Sequence, residues 1–388
     1  MWRALAALLV WSNLLSPAQA QQDAGTGPEK DAGAPARPPR GEPGGAMPDK
    51  YNNTNIEIGS VSVAAAQAAC PQAGHERLIC FAAGLKILLP AETWALLQLP
   101  YSVSDAKKWS NFPPMGYRDR VGLTLGDFDA EQLGIVKAML IEASGMAANE
   151  GYDELEQILN ADDYLIAETG EQGFSSSNFQ IAFLGTPAAT GTWELQFGGH
   201  HTAFANTYID GQLAGATPSF RGVEPFGPFE MNGRENDPMA QEQAAFAAML
   251  TALTSSELAA AKLDQTFTNI VVGPQKDDNF PIDREGVRAG DLTEDQKALV
   301  INAISTYAAD IGPAEESEAI LRRYEAELDE TYIAFSGSPT MDQERDYVRI
   351  DGPSVWIEYS MQPGRSLPGI HPHSIWRDRE SDYAGNAE

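Results

Sequence analysis

The stretch GTWELQFGGHHTAFANTYIDG, residues 191–211, decides the fold. Its aromatic and β-branched residues are typical of β-strands, and Asp210-Gly211 is a common signal for a tight β-hairpin turn. The segments NFQIAFLG (178–185) and DYVRIDGPSVWIEYS (346–360) have the same character. The middle and the end of the chain are therefore predicted to be β-structure.

Segments with helical periodicity lie before and between these strands. Apolar residues recur at three- and four-residue spacing in 75–89, 127–146, 149–166, 235–263, 292–310 and 314–330. Asp127 is predicted to cap the second of these helices. Helices and strands come in blocks, and we detect no internal repeat. The pattern predicts an α+β fold, in which several helices pack on an antiparallel sheet in a single large domain.

The N-terminus has the features of an exported protein. Residues 1–20 combine an early arginine, a short apolar run and small residues before Ala20, which is typical of a signal peptide cleaved near Ala20. Residues 21–50 are rich in Pro, Gly, Ala and charge, and they predict a disordered leader. Residues 51–388 form the predicted domain, in which no segment has the length and apolarity of a transmembrane segment. We expect a soluble protein that is secreted or periplasmic.

The charge of the chain excludes some classes of partner. A net charge of −29 argues against nucleic acid and against an anionic membrane surface, because both attract basic proteins. We expect the partner to be a substrate, either a small molecule or a polymer.

The two cysteines, Cys70 and Cys80, frame the segment CPQAGHERLIC. A closely spaced pair in an oxidising compartment is expected to form one disulfide. A catalytic thiol is the alternative, but a thiol nucleophile would not need this partner. The pair is therefore predicted to be structural.

Four of the five histidines lie in two short clusters. His200 and His201 stand side by side, and His371 and His373 flank a proline in HPHSIWRD. Residues i and i+2 of a strand point to one face, so His371 and His373 can hold the same metal ion. Adjacent residues point to opposite faces, so His200 and His201 need a bulge, which the two preceding glycines permit. Pro372 cannot donate to a β-ladder, which predicts an edge strand or a bulge.

Both clusters lie in predicted β-structure, so one sheet could bring them together. Histidines that are simply solvated at the surface are the alternative, but each cluster is embedded in aromatic strand sequence. We predict a site for a divalent transition metal at His200, His201, His371 and His373. Imidazole ligands without thiolates leave zinc, copper, iron and manganese open. The lone His75 is predicted to be structural.

Charged residues in the strands are candidates for catalysis and substrate binding. Glu358 alternates with apolar residues on a predicted core strand, where a carboxylate is costly unless it is paired or bound to metal. It is a candidate ligand or general base. Arg221 and Arg349 are candidates for binding an anionic group of a substrate, with structural ion pairs as the alternative.

The order of these motifs resembles that of a known family. FGGHH, PSFRGVEP, DYVRIDGPSVWIEYS and HPHSIWRD follow one another as in the bacterial and fungal family called domain of unknown function 3500. The resemblance covers about residues 51–385. Its most specific elements fall on Gly199, His200, His201, His371, His373, Ser374, Trp376, Arg377 and Asp378. The resemblance implies the domain limits but no reaction. We take Trp376 as a candidate for substrate binding and Arg377 for catalysis, with an Arg377–Asp378 pair as the alternative.

These features favour a metalloenzyme that carries out metal-assisted hydrolysis or oxidation. The chain has no G-x-S-x-G, Walker or H-E-x-x-H motif. A non-catalytic metal- or ligand-binding protein is the alternative, as is a pocket lined by histidines without metal. A closed shell of four histidines would favour a carrier, whereas three histidines with an open position would favour an enzyme.

Overall fold

The computed structural model describes residues 51–385, and the predicted signal peptide (1–20) and leader (21–50) lie outside the described residues. Residues 51–385 form one domain of mixed helices and strands, which confirms the predicted α+β fold. The α-helices are α1 (Ala64–Ala69), α2 (Gly74–Leu88), α3 (Ala91–Leu97), α4 (Val103–Ala106), α5 (Ala130–Ser144), α6 (Tyr152–Thr169), α7 (Ala240–Thr251), α8 (Ser255–Ala261), α9 (Glu294–Ala308) and α10 (Ala314–Ala326). None of these described helices has the length and apolarity needed to cross a membrane.

The strands are β1 (Gln98–Leu99), β2 (Leu123–Thr124), β3 (Gln180–Gly185), β4 (Thr192–Gly198), β5 (Thr202–Ile209), β6 (Gln212–Gly215), β7 (Ser219–Gly222), β8 (Phe229–Met231), β9 (Arg234–Asn236), β10 (Val287–Arg288), β11 (Tyr332–Ser336), β12 (Tyr347–Asp351), β13 (Val355–Pro363) and β14 (Ile370–Asp378). Strands β8 and β9 form a hairpin of their own. The others form one sheet in the order β1-β3-β4-β5-β7-β14-β13-β12-β11-β10, with β2 against β3 and β6 against β5. Among the strand pairs of residues 51–385, β1–β3 is parallel and the others are antiparallel. The predicted turn at Asp210-Gly211 joins β5 to β6.

The sheet consists of two similar halves. The first repeat (residues 122–222) contains β2, α5, α6, β3, β4, β5 and β7, and the second repeat (residues 286–378) contains β10, α9, α10, β11, β12, β13 and β14 in the same order. The repeats meet where β7 pairs with β14 in an antiparallel register. From that junction, the strand order outward is the same in both directions.

Equivalent contacts support this correspondence. Gly122 begins GLTLGD and Gly286 begins GVRAGD, with φ values of 91° and 109°. A Cβ at either glycine would collide with the carbonyl group of the adjacent strand, at Ile181 or Ile333, and each isoleucine begins an Ile-Ala-Phe sequence. The expectation of no internal repeat is therefore wrong. The matching residues are few and scattered, and an unmatched segment (223–285) separates the halves.

Helices cover one face of the sheet, and the opposite face combines apolar side chains with many polar ones. On the helical face, β4 contributes Trp193, Leu195 and Phe197 to a core shared with α2, α5 and α6. The alternating residues of the strands point to the other side, which we call the polar face, and their polar side chains are buried: Glu194, Gln196, Arg349, Glu358, Ser360, His373 and Arg377. Segments 99–121 and 262–285 contribute apolar side chains to the clusters that cover this face.

Two local predictions are wrong. The N-cap of α5 is Asp129, whereas Asp127 accepts a hydrogen bond from the N–H of Thr124 in the preceding 3₁₀ turn. Strand β14 is central and not at an edge. Pro372 lies opposite Met361 of β13, and the N–H of Met361 donates to the carbonyl of Asp346, away from β14. Because paired residues of an antiparallel ladder point their backbone groups both inward or both outward, the nitrogen of Pro372 points away from β13, toward β7. The β7 pairing begins only at the next residue of β14, so no ladder bond is lost there.

The predicted disulfide is confirmed. Cys70 follows α1 and Cys80 lies within α2, and their Cα atoms are 5.8 Å apart across the bridge. The bridge ties the short α1 to the longer α2, beside the helical core of the first repeat.

One buried carboxylate of the polar face makes the stability depend on pH. Glu194 accepts hydrogen bonds from Oγ1 of Thr207 (2.9 Å) and Nε2 of Gln196 (3.2 Å). Burial nevertheless raises the pKa of Glu194 from 4.5 to about 7. Between these two values the folded chain retains a proton that the unfolded chain has released, so this group lowers the stability as the pH rises.

We expect Glu194→Gln to remove this dependence, because the amide does not ionise. The free energy of unfolding of the variant, relative to the unmutated protein, should rise by about 3 kcal/mol between pH 4 and pH 8. Urea unfolding at both pH values measures the difference. A difference between the two proteins that is the same at both pH values would contradict the assignment.

Candidate metal centre

Three histidines from distant parts of the chain converge at one end of the polar face. His201, His371 and His373 each offer a ring nitrogen, and the three nitrogens lie within 4.8 Å of one another. The ring centroid of His201 lies 5.5 Å from that of His371 and 5.4 Å from that of His373. Within residues 51–385, no other group of three or more His, Cys, Asp or Glu side chains has its ligand atoms so close together. We call it the histidine triad.

The strand order explains this convergence. β7 lies between β5 and β14, and Gly222 at its end is directly opposite His373. The N–H of Gly222 donates to the carbonyl oxygen of His201 at 2.7 Å. A Cβ at Gly222 would lie 3.1 Å from Cδ2 of His201 and equally close to Cδ2 of His373. The absence of a side chain therefore lets the two rings approach from either side.

His200 and His201 occupy the turn between β4 and β5, and not a strand as predicted. The N–H of Gly199 donates to the carbonyl of Thr202 at 2.8 Å and closes the turn, so no bulge is needed. Arg120 fixes the turn from outside by donating to the carbonyl of Gly199 at 2.9 Å. His201 has a φ of 62°, in the left-handed region that residues other than glycine rarely adopt. Backbone strain of this kind is concentrated at functional sites.

His200 lies behind His201 and outside the histidine triad. Its ring stacks on the ring of His201, with centroids 3.7 Å apart. Its Nδ1 forms a hydrogen bond of 2.6 Å with Oδ1 of Asp162, and the ring also contacts Phe174. Asp162 therefore holds His200, and His200 supports the ring of His201.

One carboxylate shapes the loop that leads to His371. Oε1 of Glu224 accepts hydrogen bonds from the N–H groups of Arg365, Ser366 and Leu367, at 2.7, 2.9 and 2.8 Å. Glu224 follows the end of β7, so it ties the β13–β14 loop to that strand. Because this loop runs directly into β14, the contact determines where His371 begins its approach to the triad.

Asn269 determines which nitrogen of His373 carries the proton. Its Oδ1 lies 3.1 Å from Nδ1 of His373 and also accepts from the N–H of Ile270. An amide oxygen only accepts, so Nδ1 carries the hydrogen and Nε2 keeps its lone pair. In the described part of the chain, Nε2 of His373 and Nδ1 of His371 are buried without a hydrogen-bond partner. Buried polar atoms are rarely left unpaired, and a bound metal ion would satisfy both.

The triad consists of neutral imidazoles. Burial lowers the pKa of His201 and of His373 well below the usual value, and the neighbouring histidines lower both further. Burial also lowers the pKa of His371, although the carboxylate of Glu224 opposes this effect. The neutral form is the one that binds metal ions.

Glu358 lies on the polar face, but its carboxylate is engaged outside the triad. It accepts hydrogen bonds from the N–H of Val272 (3.0 Å), from Nε1 of Trp356 (2.8 Å) and from the N–H of Val271. Burial raises the pKa of Glu358 to about 7. The structure thus gives this carboxylate backbone and indole donors in place of a metal.

Arg377 is fully buried on the same face and is paired with two acids. Its Nε donates to Asp382 at 2.6 Å and its Nη2 to Asp277 at 2.7 Å. The alternative partner, Asp378, is bound instead by the hydroxyl of Tyr324 at 2.6 Å. Arg377 is therefore fixed four residues beyond His373 on β14.

The three candidates for substrate binding are also engaged. Arg221 and Trp376 point to the helical face, where Arg221 pairs with Glu154 (2.8 Å). Arg349, on β12 of the polar face, pairs with Glu285 at 2.7 Å. The ion pairs that we considered as the alternative for both arginines are present. The structure brings none of these three side chains into the histidine triad.

Sequence reasoning missed the residues that hold the triad. These residues lie on three separate segments, at Asp162, at Gly222 and Glu224, and at Asn269. Gly222 and Glu224 belong to the motif PSFRGVEP, but nothing in that motif points to the histidines. Of these residues, Asp162 comes closest to being recognisable from the sequence, because it is an acidic residue on the buried side of the amphipathic helix α6. Their roles depend on tertiary contacts alone.

The fold and site define a duplicated α+β domain with one histidine triad. The family described as "Protein of unknown function (DUF3500)" matches residues 72–385, so the chain belongs to this family, as the resemblance predicted. The match contains both histidine clusters. No curated protein and no solved structure matches the chain.

The backbone at His201 allows a test of the strain. We expect His201→Gly to be more stable than His201→Ala by about 1 kcal/mol, because both lose the ring but only alanine is disfavoured at positive φ. Thermal or urea unfolding in EDTA measures the difference without bound metal. An alanine variant as stable as the glycine variant would show that the backbone is relaxed at this position.

Proposed function

We propose that the protein binds one divalent transition-metal ion through His201, His371 and His373. The observation that carries the proposal is the convergence of three neutral imidazoles. Each offers a ring nitrogen, the three nitrogens lie within 4.8 Å of one another, and two of the imidazoles have a buried and unpaired ring nitrogen. Nitrogen ligands of this kind suit zinc, copper, iron and manganese, and the structure favours none of the four.

The second repeat supports this proposal, because it shows that the turn does not require histidine. The equivalent turn between β12 and β13 has Gly352, Pro353 and Ser354 in place of Gly199, His200 and His201. Gly352 donates to the carbonyl of Val355 at 2.8 Å, as Gly199 does to Thr202. The fold therefore forms the same turn with Pro-Ser, so the turn itself does not require the two histidines.

A three-histidine set leaves further coordination positions for water or substrate, which favours catalysis. A bound ion of this kind activates water as a Lewis acid or exchanges electrons with a substrate. We therefore propose metal-assisted hydrolysis or oxidation. In this proposal His201, His371 and His373 hold the ion, whereas His200 and Asp162 orient His201.

A non-catalytic metal-binding role is the second candidate. The histidines of the triad are only 4 to 8% exposed, and so low an exposure favours retention of an ion over access by a large substrate. X-ray absorption of the loaded protein distinguishes the two functions. Three nitrogen ligands plus water support catalysis, and a shell completed by protein ligands supports retention.

We also propose that the protein is exported. The features of residues 1–20 support this, as does the Cys70–Cys80 disulfide, since disulfides persist in oxidising compartments.

Removal of a ligand should abolish metal binding. We expect the purified protein to bind one ion per chain, and His201→Ala and His373→Ala to bind much less than one. His75→Gln is the matched control, because His75 lies outside the triad and accepts a hydrogen bond from Nε1 of Trp193, which glutamine can also accept. Elemental analysis after loading with zinc or copper measures the stoichiometry. A wild-type protein that cannot be loaded would overturn the proposal.

Gly222→Ala should weaken metal binding without removing a ligand. The new Cβ would press on the rings of His201 and His373, so we expect the zinc affinity to fall by about tenfold. Gly84→Ala is the control, because its Cβ would meet only an ordinary contact at 3.6 Å. Competition with a chromophoric chelator measures both affinities, and circular dichroism checks that each variant folds. Equal affinities would show that the rings do not need this gap.

A further inference from the structure

A cavity of about 190 Å³ lies on the helical face of the sheet, opposite to the face that carries the histidine triad. It opens to solvent between β6, α10 and the end of β14, and its walls include Glu316, Ile320, Tyr324 and Trp376. The space can hold a small ligand, since a water molecule takes only about 30 Å³ in the liquid. Trp376, a candidate for substrate binding on sequence grounds, is therefore part of a cavity separate from the triad.

The glutamate of this cavity has a counterpart in the first repeat. The sequence EESEAIL (315–321) starts at the second residue of α10, and DELEQIL (153–159) starts at the second residue of α6. Glu316 therefore corresponds to Glu154, and each is followed by an isoleucine four residues later.

The strand residue near this glutamate differs between the repeats. Strand β7 contains Ser-Phe-Arg (219–221) and β14 contains Ser-Ile-Trp (374–376), and the junction pairs the first residue of each segment with the last residue of the other. Arg221 and Trp376 thus occupy equivalent positions. The first repeat has a cation there, and the second repeat has a neutral indole.

In the first repeat, this cation pairs with the helix glutamate. Nε of Arg221 lies 2.8 Å from Oε2 of Glu154, and Cζ of Arg221 lies 4.9 Å from the ring centroid of Tyr307. The cavity that remains beside Glu154 and Arg221 measures only about 30 Å³. The first repeat thus shows that a guanidinium, flanked by an aromatic ring, fits beside this glutamate.

In the second repeat, the corresponding carboxylate has no such partner. Within residues 51–385, the side chain of Glu316 makes no hydrogen bond and no ion pair. Arg323 also lines the cavity, but its guanidinium donates to Asp378 and lies 3.9 Å from Glu380. Burial raises the pKa of Glu316, which indicates that water solvates its charge incompletely. A cationic ligand would compensate this charge.

Stabilisation of the helix is the simpler role for Glu316, because negative charge is favourable at a helix N-terminus. Glu315 lies in the same first turn of α10 and can serve this purpose as well. The two residues differ in their surroundings, since Glu315 is exposed whereas Glu316 is partly buried and lines the cavity. Comparison of these two glutamates therefore separates an effect on the helix from an effect on a ligand.

We propose that this cavity binds a small organic cation, a guanidinium or a primary ammonium group, held by the carboxylate of Glu316 beside Trp376 and Tyr324. The inference concerns a second site and goes beyond the proposed function. A guanidinium pairs with a carboxylate through parallel N–H donors, and cations are attracted to aromatic rings. The ligand takes the role that Arg221 has in the first repeat. The net charge of −29 favours the approach of a cation.

Butylguanidine and butylurea test the proposal, because they have nearly the same shape and only the first is charged at neutral pH. Isothermal titration calorimetry at an ionic strength of about 0.15 M measures binding while distant surface charges are screened. We expect one butylguanidine per chain, and butylurea to bind at least about tenfold more weakly. Butylamine, titrated in the same way, shows whether an ammonium group also binds.

Three variants locate the site. Glu316→Gln should weaken binding of the cation by about tenfold, because the amide carries no charge. Glu315→Gln is the matched control, since it removes the same charge from the adjacent residue and should bind as the unmutated protein does. Ala319→Phe, at an exposed position of α10 that lines the cavity, should block binding while both glutamates remain. Circular dichroism checks that each variant folds.

Loss of binding in Glu316→Gln and Ala319→Phe, with binding retained in Glu315→Gln, supports the inference. If neither butylguanidine nor butylamine binds, or if butylurea binds as tightly, the cation site is wrong. Equal weakening by Glu315→Gln and Glu316→Gln would also overturn it, because the attraction would then belong to the acidic surface as a whole. These outcomes do not bear on the histidine triad, whose metal content is measured separately.

Discussion

The antiparallel pairing of β7 with β14 is the interaction on which the rest of the structure depends. It joins the two repeats into one sheet, and it places Gly222 between the turn of the first repeat and the last strand of the second. The histidine triad forms across this junction, with one ring from the first repeat and two from the second. A slip of one residue in this register would turn His371 and His373 to the helical face and dissolve the site.

The polar face of the sheet explains why the site needs so many supporting residues. Buried polar groups must be paired, and on this face the partners come from loops far away in the sequence. Glu358 is satisfied by the backbone of residues 271–272, Arg377 by two acids, and His373 by Asn269. Some groups on this face are not paired, since the side chains of Gln180 and Ser336 are also buried without a hydrogen-bond partner, but at the triad two such nitrogens converge with a third imidazole.

The internal duplication separates what the fold requires from what the site requires. In both repeats a glycine, Gly122 or Gly286, lies directly against the backbone of the adjacent strand. Both repeats also form the same turn, between β4 and β5 in the first repeat and between β12 and β13 in the second. Among the departures from this symmetry are the histidines, the left-handed backbone of His201 and the carboxylates of Asp162 and Glu224. A feature that one of two equivalent halves lacks is not required by the shared fold, so these features are candidates for a role at the site.

Local patterns in the sequence were sufficient to predict the α+β class, the hairpin at Asp210-Gly211 and the Cys70–Cys80 bridge, because each depends on neighbouring residues. The same is true of the shared face of His371 and His373, since strand geometry sets it. The tertiary structure alone decided that β7 and β14 are adjacent, that His201 and not His200 faces the other histidines, and that Glu358 is held elsewhere. These features depend on which distant segments pack together, and the free energy of that packing is spread over the whole sheet and leaves no local signal in the chain.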